Sequence, residues 1–293
     1  MKDSIIFAVL VFFNDSLLAD VPIVTWHGIG GSAAECDRMI DTIRLSLPDV
    51  HVLNVAVGPD PEMDHANSIL MRCTDQIDLV CEQLKADPLM ANGYNAVGIS
   101  QGGLLIRGLV QRCPVPVKNL ITFGAPHQGV YGVPDCEITT GSHDLCVFVR
   151  ELLSAGAYEP WIQDLVSPAQ YWNDPLNHTN YVQGSHYLAV INNEGEDKNL
   201  AYKERMLQLE NFVMVMFSED TTVIPKESSM FETYAPGQEE NVLPLRKSQL
   251  YQEDFIGLKT LDESGRLHFF EVPGHHVQFD YDWIAENIVP FLL

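Results

Sequence analysis

Basic side chains are scarce in this 293-residue sequence: 17 lysines and arginines stand against 40 aspartates and glutamates, a formal net charge of −23. Such a surface repels phosphate backbones and anionic bilayers, which excludes electrostatic binding to nucleic acid or acidic membranes. Long apolar runs are missing too. The stretch IIFAVLVFF at residues 5–13 falls well short of the roughly 20 residues that cross a bilayer, so no transmembrane anchor is expected. No Cys-x-x-Cys occurs, which removes the usual zinc-ribbon and dithiol-redox signatures, and no internal repeat or low-complexity tract suggests a solenoid.

Apolar residues make up 46% of the chain and charged residues 19%, values that suit a single globular domain with a sizeable core. Lys2, the short apolar run, and Leu17 and Ala19 at the −3 and −1 positions read as a secretory signal peptide over residues 1–19, leaving residues 20–293 as the mature domain. Six cysteines lie beyond it, an even set that in a secreted chain implies disulfides. Fifteen pairings are formally open, and a bridge between Cys36 and Cys73 is one that parity allows.

The order of elements predicts an α/β fold. Apolar strands at VPIVTW, residues 50–58, YNAVGI, NLITFGAP, NFVMVMF and residues 266–272 alternate with amphipathic helices at residues 64–85, 102–113 and 281–293. Unbroken apolar strands of this kind form a mostly parallel sheet covered on both faces. The alternation stops over about residues 126–208, which read as a largely helical insertion over the carboxyl edge of the sheet.

Gly98-Ile99-Ser100-Gln101-Gly102 matches the G-x-S-x-G elbow and sits between a predicted strand and a predicted helix. A serine nucleophile needs a base, and the base needs an acid to orient it. In this architecture both follow later strands, in the order serine, acid, histidine. Asp220 follows NFVMVMF, with Glu219 beside it as a substitute; His275 and His276 follow the last strand, and spacing does not choose between them. The oxyanion donors are expected to be the backbone N–H of Gln101 and that of Ile29 in the loop WHGIGGS, with the His27 side chain supporting the turn. No metal or cofactor is needed for this chemistry.

WHGIGGS, GYNAVGISQGG, RGLVQRCP, HQGVYGVPDC, AGAY, YWNDP, FVMVMFSEDTTVIP, GLKTLDESGRL, HHVQF and IVPFLL run in the order and spacing of lysosomal palmitoyl-protein thioesterases. The chain resembles that family over nearly all of the mature sequence. The resemblance implies an α/β-hydrolase that removes long-chain fatty acyl groups from cysteines of S-acylated proteins and peptides in the lysosome lumen. It implies Ser100 as nucleophile, Asp220 as acid and His276 as base, with Ile29 and Gln101 at the oxyanion hole. It further implies disulfides Cys81–Cys113 and Cys136–Cys146 and glycosylation, for which Asn177 heads a sequon; the Asn14 sequon falls in the signal. The chain departs from the family in having GAPHQG, closer to lipases, and a single cysteine in its first loop. A secreted lipase or carboxylesterase, and a lipid-binding protein without chemistry, are the rival readings. A monomer is the expected form.

Overall fold

Six apolar stretches form one parallel sheet in the computed structural model, which describes residues 20–132 and 143–293. The strands are β1 (Ile23–Trp26), β2 (Val52–Asn54), β3 (Tyr94–Ile99), β4 (Val117–Phe123), β5 (Asn211–Phe217) and, last in the chain, β8 (Leu267–Val272). Their order is β2-β1-β3-β4-β5-β8, so the central pair β3 and β4 is buried on both sides and at both edges. A two-stranded antiparallel ribbon, β6 (Thr233–Tyr234) and β7 (Val242–Leu243), lies outside it.

Because side chains alternate along a strand, each strand supplies both faces. Phe212 and Met214 of β5 point into a core shared with Val24, Leu109 and Leu120, whereas Val213 and Val215 pack with Ile23, Val97 and Ile121. Helices α3 (Cys73–Ala86) and α4 (Gln101–Arg112) cover the first face; α1 (Asp37–Arg44) and the helix Tyr281–Asn287 cover the second. Each such side chain, fully buried, contributes about 1.5–3 kcal/mol, which is why uninterrupted apolar runs select this two-faced position.

The helix expected over residues 64–85 is two helices. One is α2 (Pro61–Leu70), started by the Asp60 side chain accepting from Met63 N–H at 2.9 Å, and the other is α3. Met71 and Arg72 between them are extended, and the Cys73 N–H turns instead to Gln170 Oε1 at 2.8 Å. Tertiary contact thus overrides a periodicity that runs through the break.

Between β4 and β5 the chain is largely helical, beginning with α5 (His143–Gly156). Tyr181, Tyr187, Leu188 and Met206 from this stretch join the core that α4 rests on, while Leu152, Ile162, Val166 and Ala169 form a small cluster of their own. Among the described residues no helix is long and apolar enough to cross a membrane.

Cys81 and Cys113 are bonded, tying α3 to the end of α4. The expected bridge between Cys36 and Cys73 is corrected: both are free, buried thiols. Cys36 packs with Ile40 and Ile99, and Cys73 opens α3 within the other core, so each is placed as a small apolar residue. Burial, reinforced by Glu35, pushes the Cys36 thiol up to about 12. Residues 1–19, with the Asn14 sequon, and the Cys136–Cys146 pairing lie outside the described residues.

Candidate active site

The turn from β3 into α4 leaves Ser100 at φ 54°, ψ −126°, a conformation that non-glycine residues avoid unless the surroundings enforce it. The enforcement is visible. A Cβ on Gly102 would lie 2.2 Å from His27 O, and one on Gly98 would lie 2.5 Å from Gly103 Cα. The glycines therefore let β1, β3 and α4 close around the serine, whose residue remains 8% exposed.

Ser100 Oγ lies 2.9 Å from His276 Nε2, and His276 Nδ1 lies 2.6 Å from Asp220 Oδ2. A carboxylate can only accept, so Asp220 fixes the proton on Nδ1 and leaves the Nε2 lone pair facing the serine hydroxyl. The other carboxylate oxygen, Oδ1, accepts from the N–H groups of Thr222 at 2.8 Å and Val223 at 3.0 Å. This turn holds the Asp220 side chain wholly buried, while the His276 side chain keeps 13% exposure. Glu219 and His275, adjacent in sequence to these two, point outward and face each other at 3.6 Å on the surface.

The loop after β1 passes over the serine, where a Cβ on Gly28 would meet Ser100 Cβ at 3.2 Å. Neither the Ile29 N–H nor the Gln101 N–H meets an acceptor among the described residues. His27 is buried under this loop, its ring between Gly28 O at 2.8 Å and Asp64 Oδ1 at 3.1 Å. It touches neither Asp220 nor His276 and serves the turn. Burial works to raise the Asp64 carboxyl, but His27 and the N–H groups of Val57 and Ala33 outweigh it and hold that carboxyl below its ordinary range.

A match to the family model described as "Palmitoyl protein thioesterase" spans residues 22–276, from β1 through the histidine that meets Ser100. The chain belongs to the palmitoyl-protein thioesterase family. It is 40% identical to "Palmitoyl-protein thioesterase 1" of Caenorhabditis elegans over 273 residues, covering 92% of this chain and 90% of that protein. It is 38% identical to "Palmitoyl-protein thioesterase 3" of Dictyostelium discoideum, over 87% of this chain and 84% of the relative. The "Lysosomal thioesterase PPT2 homolog" of Drosophila melanogaster is 30% identical over 94% and 93% of the two chains. The fold is that of an α/β-hydrolase, and the protein is a hydrolase of the thioesterase and esterase type.

One part of this thioesterase-family site escaped the sequence reading. Helix α2 braces the serine turn and the first loop together. Ser68 Oγ accepts from Gly30 N–H at 2.8 Å, and Ser68 O accepts from Gln101 Nε2 at 2.6 Å. Gln101 Oε1 accepts from Tyr171 OH at 2.8 Å, and the Ser167 hydroxyl lies 2.9 Å away. The side chain of Gln101 is thus a buried hub joining three segments distant in sequence. Nothing in the local pattern around Ser68 announces this, because it acts through its own backbone carbonyl and toward the backbone N–H of Gly30.

GAPHQG, the stretch that suggested a lipase, turns inward. His127 is buried, stacked on Phe231 with centroids 4.6 Å apart, and its Nε2 lies 2.9 Å from Thr122 Oγ1. Burial, with the Arg107 guanidinium nearby, holds this imidazole well below its ordinary range and keeps it neutral.

Proposed function

We propose that the protein hydrolyses long-chain fatty acyl thioesters of cysteine in S-acylated proteins and peptides. The observation that supports this most directly is the unbroken Asp220–His276–Ser100 chain of hydrogen bonds at the elbow. His276 Nε2 takes the Ser100 proton as Oγ bonds to the thioester carbonyl carbon, and the oxygen gains negative charge. The N–H groups of Ile29 and Gln101 stabilise that charge; loss of one such donor typically costs about 2.7–4 kcal/mol. The C–S bond then breaks, and the proton on Nε2 passes to the departing sulfur. With an ordinary thiol pKa of about 8.5, the thiolate leaves with less proton assistance than an alkoxide. Water attacks the acyl-serine, gives its proton to Nε2, and the fatty acid departs as Ser100 regains its hydrogen.

The tail of the acyl group gains about 0.8 kcal/mol for each CH₂ it buries, so chain length should be read in KM. A disulfide between Cys81 and Cys113 suits an oxidising compartment, and we place the protein in the lysosome lumen after secretory processing. Asn177, exposed at the start of the helix His178–Gly184, is the proposed glycan acceptor.

Purified protein and its Ser100→Ala variant, given palmitoyl-cysteine peptide and the matching palmitoyl-serine oxygen ester, test this reading. Thioester cleavage by the wild type alone is expected. Preferential cleavage of the oxygen ester would establish an esterase instead, and equal activity in both proteins would remove Ser100 from the mechanism.

A further inference from the structure

A cavity of about 200 Å³ has Gln128, Asn173, Tyr181, Glu194, Tyr234 and Phe255 in its wall. Among the described residues of that wall, Glu194 carries the one carboxyl. We propose that Glu194 is a proton-operated latch: as a neutral acid it ties the helical stretch before β5 to the loop after β4, and on ionising it loosens that tie. The latch acts on the fold and is independent of the thioester chemistry.

The backbone is built to bring this side chain inward. Asn193, just before it, stands at φ 54°, a left-handed conformation that asparagine tolerates better than most residues. Its side chain is fully engaged there. Asn193 Nδ2 donates to Asn199 O at 3.0 Å and to Phe255 O at 3.1 Å, and Oδ1 accepts from Asn199 N–H at 2.9 Å. The Glu194 N–H donates to Ala189 O at 2.9 Å, closing the end of the helix Leu188–Ile191.

The carboxyl then meets two neutral partners. Tyr181, wholly buried in the helix His178–Gly184, donates its hydroxyl to Glu194 Oε2, and the Gln128 side chain also bonds the carboxyl. Gln128 is itself fastened in place: its N–H donates to Ser228 Oγ at 3.0 Å, and its O accepts from Asn173 Nδ2 at 2.7 Å. Glu194 is thus the point where three segments distant in sequence meet through side chains.

Charged groups surround this point but none pairs with it. Among the described residues Glu194 forms no ion pair. Arg107 on α4 gives its N–H groups to Gln111 Oε1 at 3.1 Å and His127 O at 3.2 Å. The Lys198 ammonium lies 3.4 Å from the Phe255 ring centroid and donates to Asn193 O, while Glu253 competes for its charge. Burial lowers His178, which also lines the cavity, away from its charged form. Burial raises the phenols of Tyr158 and Tyr234, which stay protonated.

An ionised carboxylate here exchanges its water for two neutral donors. A neutral acid loses less hydration and keeps both bonds, donating to the Tyr181 oxygen while accepting from Gln128. Burial, the largest influence, accordingly pushes the Glu194 carboxyl up to about 7, against smaller opposing effects of Tyr181, Gln128, Arg107 and Lys198. An unfolded glutamate ionises at about 4.3, so the folded chain holds this proton more tightly. The stability that the latch contributes is whole below that range, falls as pH rises between the two values, and is gone above about 7.

Melting temperatures of the wild type and of Glu194→Gln, compared from about pH 4.5 to about pH 8, test the latch. Glutamine keeps an acceptor for Tyr181 and stays neutral throughout. The two proteins should melt alike in acid, and the variant should melt about 5–10 °C higher at the alkaline end. A gap that does not change with pH, or one that moves in the wild type's favour as pH rises, would overturn the proposal. Hydrogen exchange should locate the effect, with residues 126–130 and 178–199 losing protection at the alkaline end in the wild type alone; loss spread evenly over the chain would contradict a latch. If the variant does not fold, carbon-13 labelling of the wild-type glutamates decides. A carboxyl signal titrating at about pH 7 is expected, and glutamates that all titrate in the ordinary range would overturn the latch.

Discussion

Ser100 is approached from two sides that are built by different means. On one side, the loop after β1 and the start of α4 are locked by buried hydrogen bonds through His27, Asp64, Ser68 and Gln101. On the other, His276 stands on a loop beyond the edge strand β8, fixed by one carboxylate and by an edge contact with Phe217 at 6.4 Å. In the proposed mechanism the first side holds N–H dipoles still while charge appears, and rigidity is what makes such dipoles effective. The second has to carry a proton between three partners in turn and admit water for the second half-reaction. Its 13% exposure is consistent with that work. On that proposal, fixed charge stabilisation and mobile proton transfer fall to different segments of the chain.

If the walls divide the labour in this way, substitutions on each should fail differently. The largest effect is expected from Ser100→Ala or His276→Ala, about 10⁴- to 10⁶-fold in kcat, with the melting temperature close to wild type. A marked fall in melting temperature for His276→Ala would show that its loop is structural. Asp220→Asn should cost about 10⁴-fold, because an amide no longer enforces the proton on Nδ1; circular dichroism should find the fold intact.

Opposite Ser100, stability should fall along with rate. Asp64→Asn removes a buried charge that faces His27 and two N–H groups, and a loss of about 1–3 kcal/mol is expected in denaturant titrations at neutral pH. Because folding lowers the Asp64 carboxyl, its contribution is present above the ordinary carboxylate range and disappears as pH falls through the folded value. The gap between variant and wild type should therefore close in strong acid; a gap that widens there would contradict the assignment. The smallest effect belongs to Gln101→Ala, which keeps the backbone donor and removes only its brace. About a 10-fold drop in kcat with KM little changed is expected, less than the loss of a donor outright.

Much of this was legible in the residues, for physical reasons that differ by element. NFVMVMF reads as a strand because a β-position buried on both faces demands apolar residues at every step, and the structure has β5 over Asn211–Phe217. The serine turn is legible because its glycines answer to close backbone approaches at Gly98 and Gly102. The choice between Glu219 and Asp220, or between His275 and His276, is not written in spacing. Adjacent residues on a loop can point opposite ways, and here the capping of Thr222 and Val223 aims Asp220 inward. The break at Met71 and Arg72 is hidden because α2 and α3 continue one apolar period. Parity of cysteines misled at Cys36 and Cys73, since a thiol can be retained for packing alone.

The hydrogen bond between Ser100 and His276 joins residues 176 positions apart, and the histidine hangs beyond the last strand to enter the sheet. Contacts of such separation form late, after nearer segments have paired. A chain emerging during synthesis would carry a complete serine turn long before it has a base to activate it. Catalysis then switches on only when β8 docks against β5, so the appearance of activity in a refolding experiment would report closure of the sheet's final edge.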